Sequence, residues 1–243
     1  MRPVLVCPIA YNENVKLKNA IERFLKSGVK DRADYLIIDD ASDDGTTEMI
    51  QSYAGQGVRT IKHAQRQGVG SAIRTGIRFA QKEGYDVLVI MAGNDKDNPQ
   101  EIPRLIDPIM KEGYDFVQGS RYKGPTGIGG DMPFYRKVAT RVHPWLMSLI
   151  TRRRLTDTTN GFRAFKLAFF EDIRMNIDQA WLNQYELEPY LLYKAIQLGY
   201  KFTEVPVTKI YPAKKLGYTK MKPLTGWWSI LRPVIYLGLG IKK

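Results

Sequence analysis

The stretch Tyr35-Leu36-Ile37-Ile38-Asp39-Asp40-Ala41-Ser42-Asp43-Asp44-Gly45-Thr46 passes from aliphatic residues into carboxylates and then into turn formers. A short apolar run bounded in this way reads as a buried strand, and Ser42, Asp43, Asp44 and Gly45 read as the turn and cap of the next helix. In an open parallel sheet, ligands bind outside the carboxyl ends of strands, where Asp39 and Asp40 fall. Carboxylates there suit ribose hydroxyls, base N–H groups or a cation, or else they cap the helix. Capping uses one such side chain, and the second favours a ligand role.

The pattern repeats on either side. Upstream, Pro3-Val4-Leu5-Val6-Cys7-Pro8-Ile9-Ala10 is an apolar strand ending in Tyr11-Asn12-Glu13-Asn14, and Leu17, Ile21, Phe24 and Leu25 then share a helical face. Downstream, His63 to Ala72 holds Arg66, Gly68 and Gly70 before a helical face of Ile73, Ile77 and Ala80. Its glycines permit a tight turn and close backbone approach at a helix start, where N–H groups favour phosphate. Tyr85 to Met91 is the next buried strand. It runs into Ala92-Gly93-Asn94-Asp95-Lys96-Asp97-Asn98-Pro99 and a helix through Ile102, Leu105 and Ile109. Phe116 to Tyr122 is a strand ending at Arg121, whose guanidinium fork matches phosphate oxygens. Gly124 to Gly130 is a loop suited to ordering over a ligand. Neither G-x-G-x-x-G nor G-K-[ST] follows a strand, which argues against dinucleotide and P-loop sites.

Composition narrows the classes further. The 243 residues are 44% hydrophobic, enough for a substantial core. A single Cys7 in a strand excludes an internal disulfide and suits a buried apolar role. Two distant histidines, His63 and His143, argue against a histidine zinc site or a Ser-His-Asp triad. The chain enters its first strand with no leader pattern, which sets the expectation of a cytoplasmic setting. A net charge of +12 is concentrated in Arg136 to Arg154 and after Glu204. Anionic lipid and nucleic acid both suit such charge, but no nucleic-acid motif accompanies it, and no nucleic-acid partner is expected. Trp227-Trp228 and the apolar run to Ile241 are too short and too interrupted at Arg232-Pro233 to span a membrane. They suit the interface of an anionic membrane, or alternatively a helix packed on the core.

The strand ends at Pro8 to Glu13 and at Ile37 to Thr46 resemble the start of family-two inverting glycosyltransferases with the GT-A fold. Gly119-Ser120-Arg121-Tyr122, Asp157 to Arg163, Glu204-Val205-Pro206-Val207 and Gly217-Tyr218-Thr219-Lys220-Met221 resemble the dolichol-phosphate mannose synthase branch. The likeness runs in order from about residue 3 to residue 222. It implies an α/β fold with a mostly parallel sheet between helices, a GT-A domain over residues 1–222, and a basic, aromatic segment over 223–243 that adds interfacial helices.

The resemblance also implies a function: inverting transfer of a sugar from a nucleotide-sugar to a polyprenyl-phosphate-type acceptor at the cytoplasmic face of a membrane. Two alternatives stay open. One is transfer to a saccharide hydroxyl, with Glu188 or an aspartate of the 95–97 loop as base. The other is a catalytically weakened nucleotide-sugar-binding protein. Pro8, Tyr11, Glu13, Asp39 and Asp40 are expected to hold the nucleoside, with Arg66 near the diphosphate or base. The family's Asp-x-Asp, which holds Mg²⁺ or Mn²⁺, aligns on Ala92 and Asn94. Asp95 and Asp97 are therefore expected to take the cation, with an amide oxygen from Asn94. Phosphates are assigned to Arg121 and Lys220 on the donor side, and to Arg136 and Arg163 on the acceptor side.

Overall fold

Three apolar runs form the centre of the sheet, and each buries both of its faces. In the computed structural model, which describes residues 3–125, 127–130, 132–211 and 223–242, β1 is Val4–Ala10, β2 Ala33–Asp39 and β4 Val87–Ala92. Alternate residues of each strand enter opposite cores. Val4, Val6, Tyr35, Ile37, Val87 and Val89 pack to one side, and Leu5, Cys7, Leu36, Ile38, Leu88 and Ile90 to the other. This two-sided burial is why the strands read as unbroken apolar runs. Cys7 is fully buried, and burial pushes its thiol pKa up, as a packing residue requires.

The remaining elements are α1 Asn14–Leu25, α2 Thr46–Gln51, β3 Val58–Lys62, α3 Val69–Lys82, α4 Ile102–Glu112, β5 Phe116–Ser120 and β6 Ile128–Gly130. They are followed by α5 Phe134–Thr151, β7 Arg163–Lys166, α6 Leu187–Gln197, β8 Phe202–Pro206, β9 Lys209–Tyr211 and α7 Pro223–Gly238. The main sheet has seven strands in the order β3-β2-β1-β4-β7-β5-β8. All neighbours are parallel except at β7, which runs antiparallel to both β4 and β5. Phe165 of β7 packs on Phe116 of β5 with ring centroids 4.5 Å apart, and Phe202 of β8 meets Phe116 at 5.3 Å. These aromatic contacts hold the inserted strand in place. The helical faces predicted from Leu17, Ile21, Phe24 and Leu25, from Ile73, Ile77 and Ala80, and from Ile102, Leu105 and Ile109 are buried, except that Leu25 is half-buried.

Two expectations need revision. Residues 128–130 of the glycine-rich stretch form β6, which pairs with β9 in a small second sheet. The tail is not broken at Arg232-Pro233, because α7 continues through Pro233. Tertiary contacts outweigh the lost backbone donor there. Val234 and Leu237 are buried, and Arg232 reaches the buried Glu186 at 2.6 Å and the carbonyl of Trp181 at 3.1 Å. The helix therefore packs on α5 and α6 while leaving Trp228 and Ile235 exposed, as is Leu239 just beyond its end. The side chain of Trp227 lies outside the described residues. No described helix is long and apolar enough to cross a membrane.

Candidate active site

The register brings three strand ends level. Ala10 pairs with Asp39, and Ile9 pairs with both Ile38 and Ala92. The connection leaves to opposite sides of β1 here, which is where α/β sheets open a crevice. Tyr11, Asp40 and Gly93 follow the strand ends. The first two turns are laced together: the Asn12 backbone N–H donates to Ser42 Oγ at 2.9 Å and its side-chain Nδ2 to Asp43 Oδ1 at 2.7 Å. A Cβ on Gly93 would stand 2.9 Å from the carbonyl oxygen of Ile9, so glycine allows the third strand end to close on the first. Above these ends lies a cavity of about 730 Å³. Its polar lining includes Tyr11, Glu13, Asp40, Arg66, Asn94, Lys96, Lys209 and Tyr211. Its apolar lining includes Phe134, Val138, Val142, Ile230 and Leu231.

Asp39 and Asp40 part company at the end of β2. Asp39 is fully buried and accepts from the Ser42 N–H at 3.0 Å and from the hydroxyls of Ser42 and Thr47, so it braces the turn before α2 and does not line the cavity. The first N–H of α2, that of Thr46, is met by Asp44 Oδ1 at 3.1 Å. Asp40 does line it. Its Oδ1 accepts from the Gln67 N–H and pairs with His63 Nδ1, both at 2.8 Å, and its Oδ2 accepts from the Gly68 N–H at 2.8 Å. The carboxylate thus fixes the loop that carries Arg66, whose guanidinium stacks 4.0 Å over the Tyr11 ring. Glu13 faces the cavity and is paired with Lys16 at 2.7 Å. Pro8 is buried in β1, away from the lining.

The two aspartates assigned to a cation meet cations of the chain itself. Asp95, in left-handed backbone at φ 57°, pairs with Arg23 of α1 at 2.7 Å. Burial lifts its carboxyl pKa above the ordinary value despite that arginine. Asp97 is fully buried, accepts from the Ala92 N–H at 3.1 Å and holds Lys209 Nζ at 2.7 Å. Neither aspartate lines the cavity. Among the described residues, no three His, Cys, Asp or Glu side chains cluster as they would around a metal ion. Asn94 does present a buried Oδ1 with no hydrogen-bond partner among them. A single neutral oxygen beside lysines does not fit Mg²⁺ or Mn²⁺, which favour several oxygen ligands including carboxylates.

The arginines assigned to phosphate are also engaged. Arg121 and Asp157 form a buried fork, Nε to Oδ2 at 2.6 Å and Nη2 to Oδ1 at 2.7 Å, while Arg121 Nη1 donates to the Tyr211 hydroxyl at 3.1 Å. Burial works against the Asp157 charge, but Arg121 holds its carboxyl below the ordinary range. Arg163 is buried outside the cavity lining, donating to the carbonyls of Glu188 at 3.0 Å and Asn160 at 2.6 Å. Glu188 lines the cavity 3.2 Å from Arg163 Nη2. Arg136 lines it too, and Lys220 lies outside the described residues.

Sequence reading placed no function on Lys209, Tyr211, Tyr185 or His143, all of which line the cavity. His143 joins α5, α7 and the loop before β7. Its Nε2–H donates to the Ile230 carbonyl at 3.1 Å, and its Nδ1 accepts from the Thr158 hydroxyl at 2.6 Å. Burial pushes the imidazole pKa down to about 4 from 6.5, so the ring is neutral in the folded protein. A depressed pKa costs stability as the pH falls from 6.5 towards 4, because the unfolded chain takes up the proton first. At about 1.4 kcal/mol per pKa unit the loss is on the order of 3 kcal/mol. Urea unfolding at stepped pH is expected to show this acid limb and to show it flattened in His143→Gln.

Residues 6–174 match the family model for glycosyl transferase family 2. The match spans more than half of the chain, which therefore belongs to glycosyl transferase family 2, the nucleotide-sugar-dependent glycosyltransferases that the strand-end motifs resemble. The chain is 31% identical over 227 residues to the undecaprenyl-phosphate mannosyltransferase of Micrococcus luteus, covering 91% of this chain and 88% of that protein. It is 28% identical over 221 residues to a UDP-N-acetylglucosamine–dolichyl-phosphate N-acetylglucosaminyltransferase of Methanococcus voltae, covering 85% of each. Glucosyl-3-phosphoglycerate synthase of Mycobacterium tuberculosis, solved with Mn²⁺, UDP and glucosyl-3-phosphoglycerate, aligns at a TM-score of 0.67 and 20% identity over 98% of this chain and 79% of that one. The shared fold bears out the GT-A architecture.

Proposed function

We propose that this chain transfers a sugar, with inversion, from a nucleotide-sugar to a polyprenyl phosphate at the cytoplasmic face of a membrane. The observation that carries this reading is the continuity between the apolar lining of the cavity and the outside of α5. Phe134, Val138 and Val142 line the cavity and are also exposed, and Trp145 and Leu149 extend the same helical face outward. Phe134 is 78% exposed and Trp145 61%. An apolar face of this extent marks an interaction site. Trp228 and Ile235 of α7 add to the exposed apolar surface, and Lys137, Arg141, Arg152, Arg153 and Arg154 supply exposed positive charge along α5 and just beyond its end. Apolar and aromatic groups with nearby cations suit an anionic lipid surface. The names of the relatives acting on undecaprenyl and dolichyl phosphate support the same acceptor class. Residues 1–222 are taken as the transferase unit and 223–243 as part of its membrane-facing side.

In this reaction a phosphate oxygen of the acceptor bonds to the anomeric carbon as the bond from that carbon to the donor diphosphate breaks. The electron pair leaves with the nucleoside diphosphate. The acceptor is already an anion at neutral pH, so no residue has to remove a proton. The chain contributes orientation and positive charge. Tyr11, Arg66 and the Asp40-pinned loop frame the nucleotide. The apolar lining takes the first isoprene units and leaves the rest of the chain to the bilayer. Glu188 supports the second reading, transfer to a saccharide hydroxyl, since it is a carboxylate facing the cavity. As a base it would have to leave Arg163.

Val138→Asp and Val142→Asp discriminate between the two. Release of nucleoside diphosphate in the presence of polyprenyl phosphate is expected to show KM for the lipid raised about tenfold or more, a loss of about 1.4 kcal/mol, with nucleotide affinity unchanged. An unchanged lipid KM in both folded variants sinks the lipid reading.

A further inference from the structure

We propose that Lys96, Lys209 and Arg136 together take the place of a divalent cation at the donor diphosphate, so that the nucleotide binds without metal. This rests on the cavity being the donor site. The loop after β4 leaves the sheet beside the cavity. At that point the chain offers the amide of Asn94 and then Lys96, which is only 4% exposed and lines the cavity.

Lys209 reaches the same cavity from β9, and the two lysines are tied by main-chain contacts. The Ile210 N–H donates to the Lys96 carbonyl at 3.0 Å, and Asp97 bridges to Lys209 across the backbone. Asp97 and Asn160 hold the Lys209 ammonium at 2.7 Å and 2.9 Å, which aims it rather than leaving it to solvent. Tyr211, whose ring centroid lies 5.2 Å from Lys96 Nζ, forms the wall between them. Arg136 enters from the first turn of α5, with a buried Nε that has no hydrogen-bond partner among the described residues.

The carboxylates that would hold a cation are turned to the chain's own cations instead: Asp95 to Arg23, Asp97 to Lys209 and Glu13 to Lys16. The field at Lys96 points the same way. The positive charges of Lys209, Arg136 and Lys16 act on this position, with Glu13 opposing them. A dication would be repelled from such a cluster, whereas a diphosphate would be drawn to it.

Calorimetry on the full chain with UDP, GDP, ADP, CDP and dTDP, in EDTA and then in Mn²⁺, tests this. For the nucleotide that binds, Kd is expected to differ by less than about threefold between the two buffers. In EDTA, Lys96→Met, which keeps the aliphatic stem, should weaken binding by about tenfold or more. If Lys96→Met loses its cooperative unfolding transition, the partly exposed Arg136→Gln is used in its place, with a loss of affinity expected in the same buffer. The electron paramagnetic resonance signal of Mn²⁺ should stay that of the free ion with protein alone, and with nucleotide present the protein should add no bound Mn²⁺ beyond the Mn²⁺–nucleotide complex. Tightening of about tenfold on adding Mn²⁺, or an unchanged Kd in the folded variant, overturns the metal-free assignment while leaving the donor site standing. Failure of every nucleotide to bind in either buffer overturns the donor-site reading, and this proposal with it.

Discussion

Asp157→Asn is expected to destabilise the fold by about 3–5 kcal/mol, the cost of stripping one partner from a buried ion pair. Asp157 is fully buried, and its carboxylate takes the Arg121 Nε, Nη2 and backbone N–H at 2.6, 2.7 and 3.0 Å. Asparagine turns one acceptor into a donor facing the guanidinium and leaves a full charge unmatched in a protein interior. A typical domain has a margin of only about 5–15 kcal/mol, so this single change removes a large part of it. The damage is expected to spread to the cavity, because Arg121 also holds Tyr211 and Thr159. Urea unfolding of Asp157→Asn, Arg121→Met and the double variant should show the double losing less than the sum of the singles, with coupling of about 0.5–3 kcal/mol. A loss below about 1 kcal/mol in Asp157→Asn, the range of an exposed pair, would mean the fork is not formed in solution.

Asp40→Asn is expected to weaken nucleotide binding by about tenfold or more, near 1.4 kcal/mol. Its carboxylate holds both the Gln67 and Gly68 N–H groups together with His63. With an amide in its place, one of these donors faces another donor, and the loop carrying Arg66 is released from the Tyr11 ring. Stability should fall as well, by about 1–3 kcal/mol, because a buried N–H group loses its acceptor. Calorimetry and unfolding on the same preparation separate the two effects. An unaltered Kd in a folded variant removes Asp40 from the donor site.

The parallel half of the fold is legible in the sequence because its strands are buried on both faces. Val4 to Ala10, Tyr35 to Asp39 and Val87 to Ala92 carry no polar interruption, and their carboxyl ends are marked by abrupt polarity. The antiparallel insertion of β7 is not legible, since Arg163-Ala164-Phe165-Lys166 is short and its pairing depends on aromatic contacts with distant Phe116. Of the residues that line the cavity, Tyr11, Glu13, Asp40, Arg66 and Asn94 are legible through their place at or just after strand ends. Asp39, Asp95 and Asp97 occupy similar places, yet Ser42, Arg23 and Lys209 claim their carboxylates. Which cation reaches which acid is decided by elements far apart in the chain, and one sequence holds no record of that choice. Arg121 and Asp157 illustrate the same limit, being a pair where Arg163 is the nearer arginine in sequence. The apolar face of α5 is legible only as basic and aromatic character nearby, because it depends on which side of that helix meets α6 and α7.

Lipid extraction after incubation with labelled nucleotide-sugar and polyprenyl phosphate in anionic vesicles addresses the central claim most directly. Label is expected in the organic phase, on a sugar linked to the lipid phosphate, with the anomeric configuration opposite to that of the donor by nuclear magnetic resonance. Label found instead on a saccharide hydroxyl, or a lipid phase without sugar while the nucleotide-sugar is bound and turned over, would contradict it.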